Sequence, residues 1–147
     1  MKPMMIVIVE DNPDDELLVR RALKQHNITN EIVVLRDGVE AVDYMLGTGQ
    51  YAGRDTSVQP QVVLLDMNLP KLNGLDVLKR LRADERTALI PVVMLTTSKE
   101  ESDMIVSYKL GANSFVSKPV EFTQFVEAVK QLGLYWLLLN KTPEQNA

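Results

Sequence analysis

Cysteine is absent from these 147 residues, which removes disulfides, thiolate nucleophiles and cysteine-ligated zinc together. Histidine occurs once, as His26 near the end of a helical segment, and reads as a solvated polar group; a histidine-rich metal site is excluded. Cations are scarcer than anions: 16 Lys and Arg stand against 20 Asp and Glu, a formal net charge of -4. No Lys/Arg run offsets that balance, which argues against a nucleic-acid surface, where phosphates must be neutralised. Long apolar runs are missing too. The first, Met4-Met5-Ile6-Val7-Ile8-Val9, is met at once by acids. It is too short for a signal peptide and far from the roughly 20 residues of a membrane-spanning helix. A cytoplasmic protein with no membrane insertion is expected.

Signatures of several common sites are also lacking. Gly47-Thr48-Gly49-Gln50-Tyr51-Ala52-Gly53 misses G-x-G-x-x-G by one residue and precedes a strand, where a dinucleotide loop would join strand to helix. Neither G-x-x-x-x-G-K-[ST] nor G-x-S-x-G occurs.

What is present is the composition of a soluble globular domain, 46% hydrophobic and 24% charged, long enough for one sizeable core but not two. Four apolar runs end in reactive polar residues. The first stops at Glu10-Asp11, Val62-Val63-Leu64-Leu65 at Asp66, Val92-Val93-Met94-Leu95 at Thr96, and Phe115-Val116-Ser117 at Lys118-Pro119. Short β-branched runs of this kind read as strands buried on both faces, the habit of a parallel sheet covered by helices.

Helical patterns alternate with those runs. Asn12 can cap a helix, Pro13 suits its first position, and Asp14, Asp15 and Glu16 favour the positive end of its dipole. Leu17, Leu18, Ala22 and Leu23 are expected to form its buried face, with Arg20, Arg21 and Lys24 outward. After a second strand, Glu31-Ile32-Val33-Val34-Leu35, Asp37-Gly38 opens a helix through Val39, Val42, Met45 and Leu46. Residues 47–60 read as an exposed loop, longer than most such connections. A loop over 67–73 containing Pro70 leads to Gly74 and a helix with Leu75, Leu78 and Leu81. Ser98 and Glu101 form a capping-box pattern for a helix through Met104, Ile105 and Tyr108, stopped by Gly111. A last helix carries Phe122, Phe125, Val126, Val129 and Leu132. Five βα units in one domain predict an α/β fold, a doubly wound five-stranded parallel sheet in the order 2-1-3-4-5 with helices on both faces. Strands one and three are then neighbours, and the acids fall at the switch point where such sheets bind ligands.

Glu10, Asp11 and Asp66 brought that close would repel unless one is protonated or a cation intervenes. An all-oxygen cluster with room for water suits Mg²⁺. Lys118 adds a fixed positive charge. A divalent ion and a lysine around one free carboxylate oxygen are what a phosphoryl acceptor needs: the cations offset charge on the transferring oxygens while the carboxylate attacks. Thr96 is placed to donate to a phosphoryl oxygen. Asp14, Asp15 and Glu16 read as first-turn helix acids and are not counted as ligands. A small phosphohydrolase of the haloacid-dehalogenase kind would also use a strand-end Asp. It would pair that residue with a second Asp two positions on, however, and here that position is Asn68.

Taken together, the motifs resemble response-regulator receiver domains, the phospho-accepting partners of sensor histidine kinases, over roughly residues 4–132. Glu10-Asp11 is similar to the acidic pair, and Asp66-Met67-Asn68-Leu69-Pro70-Lys71-Leu72-Asn73-Gly74 to the phosphoacceptor loop. Thr96-Thr97 resembles the switch hydroxyl and the small residue after it, and Gly111-Ala112 through Phe115 to Lys118-Pro119 the segment with the switch aromatic and the lysine. The resemblance implies Asp66 as phosphoacceptor. It implies Mg²⁺ held by Asp11 directly, Glu10 through water, Asp66, and the backbone carbonyl of Asn68. Lys118 would pair with the phosphoryl group, Pro119 would follow a cis bond, and Thr96 and Phe115 would form a two-state switch. Phe115 stands where the family often has Tyr, so a switch step that needs a phenolic hydroxyl is not implied. Chemistry would be confined to gain and loss of phosphate at Asp66, without turnover of a free substrate.

One receiver domain over 1–147 leaves output to a partner or to self-association. The apolar extension 133–147, with Leu134-Tyr135-Trp136-Leu137-Leu138-Leu139, either wraps the domain or forms a homodimer contact anchored by Tyr135 and Trp136. With the long loop at 47–60, this tail resembles stand-alone regulators that partner phytochrome-type histidine kinases. A phosphorylation-independent scaffold on the same fold is the alternative reading, and the hydrolase is a third.

Overall fold

The computed structural model describes residues 5–25, 31–96, 108–118 and 122–131. Five strands, β1 (Met5–Val9), β2 (Glu31–Leu35), β3 (Val62–Asp66), β4 (Val92–Thr96) and β5 (Ser114–Ser117), form one parallel sheet in the order β2-β1-β3-β4-β5. This is the order expected from the sequence. Side chains alternate across it. Met5, Val7, Val9, Val63, Leu65, Val92 and Met94 pack on one face, and Ile6, Ile8, Val62, Leu64, Val93, Leu95 and Val116 on the other. The central strands β1, β3 and β4 are buried on both faces, which is why they read as continuous apolar runs. Each fully buried Leu or Ile contributes roughly 1.5–3 kcal/mol relative to exposure.

The helices cover the sheet from both sides. Val19, Ala22 and Leu23 of α1 (Pro13–Lys24), with Ala128 of the last helix (Phe122–Gln131), bury one face. Ala41, Val42 and Met45 of α2 (Gly38–Leu46), with Val77, Leu78 and Leu81 of α3 (Gly74–Ala83), bury the other. Side-chain caps start the first three helices, at Asn12 as expected and also at Asp37 and Asn73. Asn12 accepts from the N–H groups of Asp14 and Asp15, Asp37 from Glu40, and Asn73 from Asp76.

Three expectations differ from the structure or lie beyond it. Leu17 is 49% exposed and Val39 is exposed as well. In α1 the stripe is set by Val19, Ala22 and Leu23 at i, i+3 and i+4, which leaves Leu17 on the flank beside Arg21. Residues 47–60 are also more ordered than their polarity suggested. A 3₁₀ turn (Gly49–Tyr51) brings the Tyr51 ring edge-on to Tyr44 at 5.1 Å, and the Arg54 guanidinium lies 3.9 Å from the Tyr44 ring centre. Arg54 donates to the Tyr44 and Val58 carbonyls, and Gln59 to the Met45 carbonyl, so the polar side chains satisfy backbone rather than water. His26, most of the helix expected from Ser98 to Tyr108, Pro119, Tyr135 and Trp136 lie outside the described residues. Among the described residues, no helix is long and apolar enough to cross a membrane.

Candidate functional site

Parallel register carries the strand ends to one edge. Val9 is level with Leu65, Asp66 with Leu95, and Thr96 with Ser117, so the residues that follow or close each strand come together. The Glu10 N–H donates to the Leu35 carbonyl at 2.9 Å, and the Lys118 N–H to the Thr96 carbonyl at 2.9 Å, which prolongs the ladder past the last paired residues. Glu10, Asp66 and Thr96 are buried, Asp11 is exposed, and Phe115 is half-buried. Glu10, Asp11 and Asp66 each present an oxygen within 4.8 Å of the others.

Lys118 reaches into this cluster with a side chain only 8% exposed. Its Nζ lies 2.8 Å from Asp66 Oδ2, 2.6 Å from Glu10 Oε1 and 2.9 Å from Asp15 Oδ2. The contacts with Asp66 and Asp15 are directed hydrogen bonds. Glu10 Oε1, completely buried, has the charge beside it but no hydrogen bond. The other Asp66 oxygen, Oδ1, accepts from the Asn68 N–H at 3.0 Å, an Asx-type turn that fixes the carboxylate plane.

The loop after β3 is shaped by two close approaches. At Gly74 an added Cβ would lie 2.2 Å from the Asp66 carbonyl oxygen, and at Gly38 one would lie 1.8 Å from that of Leu72. Only glycine fits at either place. Gly74 N–H also donates to the Met67 carbonyl, and Lys71 adopts a left-handed φ of 68°. The result is a compact turn that holds Asp66 at the site floor.

Four carboxylates share this edge with one ammonium, which three of them touch, and negative charge is in excess. Burial, then the hydrogen bond and charge of Asp66, push the Glu10 carboxyl up to about 8, with Lys118 opposing. Burial alone would lower the Lys118 ammonium, but the Asp66, Glu10 and Asp15 carboxylates around it outweigh this and raise it above the ordinary lysine value. A hard divalent cation fits this set. The donors are all oxygen, Asp11 faces solvent where retained waters would sit, and Glu10 Oε1 is a buried acceptor with no hydrogen bond.

Of the residues singled out from sequence, Glu10, Asp11, Asp66, Thr96 and Lys118 share this edge. Asn68 stands beside it, its N–H on Asp66. Phe115, on the strand that leads to Lys118, packs edge-on against Tyr108 at 4.8 Å. Asp15 is the residue that sequence reasoning passed over. Its position in the first helical turn has a complete local explanation, and no signal separates it from its exposed neighbour Asp14.

Comparison with known proteins gives consistent results. The family model for the response regulator receiver domain matches residues 6–130. The solved bacteriophytochrome response regulators AtBRR and RtBRR are 49% and 46% identical to this chain, with TM-scores of 0.81 and 0.84. The match to AtBRR covers 96% of this chain and 100% of that one, and the match to RtBRR covers 99% and 86%. Response regulator Rcp1 of Synechocystis sp. is 37% identical over 135 residues, 92% of this chain and 90% of that protein. The crystal structure of its Mn²⁺-bound form, 36% identical, covers 95% of this chain and 98% of that one with a TM-score of 0.75.

Proposed function

The chain belongs to the response regulator receiver family, whose domains gain and lose a phosphoryl group on an aspartate with the help of Mg²⁺, and on that premise we propose that Asp66 is the phosphoacceptor. One observation carries the assignment. Asp66 is the carboxylate shared by the three-acid cluster and the Lys118 hydrogen bond, and its orientation is fixed by the Asn68 N–H. An Asp66 oxygen attacks phosphorus, the bond to the donor's leaving group breaks, and the leaving group takes up a proton. Lys118 offsets charge on the phosphoryl oxygens, and Thr96, at the end of β4, donates to one of them. Bound by Asp11, Asp66, the Asn68 carbonyl and, through water, Glu10, Mg²⁺ would neutralise charge on the oxygens in transfer. Thr96 and Phe115 then form the element that distinguishes the two states.

The donor we propose is a sensor histidine kinase of the phytochrome type. The identity with two bacteriophytochrome response regulators over nearly the whole chain supports this reading. We place the protein in the cytoplasm as a single receiver domain over 1–147, without affinity for nucleic acid. Its output passes through protein contacts, including a homodimer in which Tyr135 and Trp136 of the apolar extension serve as anchors. Incubation with acetyl phosphate and Mg²⁺ followed by intact-mass measurement tests the acceptor. Wild type gains one phosphoryl group and Asp66→Asn none; no adduct on either would favour the scaffold, and rapid release of phosphate over many turnovers the hydrolase. Sedimentation with and without beryllofluoride tests the dimer, and a monomer mass in both would refute it.

A further inference from the structure

We propose that Asp15 is a positioning residue that aims Lys118 at the phosphoryl group, an inference that rests on Asp66 being the acceptor. An ammonium has three N–H donors and no acceptor. Here three carboxylates surround it, but they do not hold it equally. Asp15 and Asp66 accept directed hydrogen bonds at 2.9 and 2.8 Å, while Glu10 Oε1 sits within ion-pair distance without one. Two bonds therefore fix the direction of Nζ, and the third N–H is the one free to be redirected.

The three acids also differ in what a cation would do to them. Glu10 and Asp66 belong to the cluster whose oxygens lie within 4.8 Å of one another, and Asp15 does not. With a divalent ion there, Glu10 would be offset and would hold the ammonium less, while Asp15 would be untouched. Lys118 would keep its bond to Asp15, and its remaining N–H could turn to a phosphoryl oxygen on Asp66. The Asp15 backbone is well placed to act as a fixed support. Its N–H is capped by Asn12 Oδ1 at 3.3 Å, and Pro13 sets the start of the helix. The residue thus joins two elements 103 positions apart in sequence.

Asp14 supplies the control. It is exposed, shares the same first turn and the same Asn12 cap, and makes the same contribution to the helix dipole. The rate of phosphorylation by acetyl phosphate with saturating Mg²⁺ would be measured by intact mass for wild type, Asp14→Ala, Asp15→Ala, Asp15→Asn, Lys118→Ala and the double variant Asp15→Ala/Lys118→Ala. Loss of the charge-assisted acceptor that fixes the Lys118 ammonium predicts a rate about tenfold lower in Asp15→Ala, substantial recovery in Asp15→Asn, whose amide oxygen still accepts, and no change in Asp14→Ala. In the Lys118→Ala background, removal of Asp15 should have no further effect. A wild-type rate in Asp15→Ala, an equal loss in Asp14→Ala, or a loss that persists without Lys118 would each overturn the proposal while leaving the acceptor assignment intact. Absence of any adduct on wild type would overturn both.

Discussion

Asp66 and Lys118, 52 residues apart in sequence, meet at 2.8 Å across the ends of β3 and β5, with β4 lying between those strands. The contact exists because parallel register levels the strand ends and the Lys118 N–H continues the ladder to Thr96. It places the ammonium at the centre of a buried anionic cluster. Lys118→Ala therefore removes the counter-charge from Glu10 and Asp66 together. Metal-free protein should lose about 3 kcal/mol of stability, as when one partner of a buried pair is deleted. Mg²⁺ should restore part of it by supplying positive charge to the same oxygens. Urea denaturation with and without the metal is the measurement. A metal-free variant as stable as wild type would show that the ammonium does not hold the cluster.

Metal removal gives a second expectation. A ligand bound only by the folded state adds about 2.7 kcal/mol when its concentration is a hundred times its dissociation constant. Wild type should thus unfold at higher denaturant in Mg²⁺ than in a chelator. Asp11 is exposed and outside the Lys118 contacts, so Asp11→Asn should fold as well as wild type without metal yet lose most of the Mg²⁺ gain. An undiminished gain in that variant would remove Asp11 from the ligand set.

Much of this site is legible in the sequence because each apolar run is a buried strand, and the reactive polar residue at or just past its end marks where the sheet stops. Glu10, Asp66, Thr96 and Lys118 are found that way, and the topology rule for doubly wound sheets brings them together. Asp15 is hidden for the opposite reason. The helix dipole already accounts for an acid in a first turn, and only the packing of α1 over the sheet edge shows that this one also meets Lys118. Leu17 is misread because two leucines side by side fit either flank of a helical stripe, and the neighbours at 19, 22 and 23 decide which one is covered. The order in residues 47–60 is invisible because hydrogen bonds from Arg54 and Gln59 to carbonyls depend on how the loop folds back on α2.

Gly74→Ala should disturb the site from beneath. Its Cβ would come 2.2 Å from the Asp66 carbonyl oxygen and 2.7 Å from Met67 Cα, both backbone atoms with little room to yield. Overpacking of this kind costs about 1–3 kcal/mol, and relief would have to shift Asp66 itself. The expected outcome is lower thermal stability together with slower phosphorylation by acetyl phosphate. Wild-type values for both would mean that the turn adapts elsewhere.

Tyr51 fastens the long loop to α2 and makes a pH-dependent contribution that can be isolated. Its hydroxyl donates to Glu40 Oε2 at 2.8 Å. Burial, then the hydrogen bond and charge of Glu40, raise the phenol to about 12 from an ordinary 10.0. A folded-state value above the unfolded one means that the stabilisation is complete below pH 10.0 and is lost as pH rises through about 12. Tyr51→Phe should therefore cost about 1 kcal/mol near neutral pH, where the hydroxyl still donates, and progressively less in alkali. Ultraviolet absorbance supplies the direct check. The phenolate titration of wild type should contain a late component near pH 12 that Tyr51→Phe lacks, and superimposable late titrations would show that Glu40 does not hold this proton.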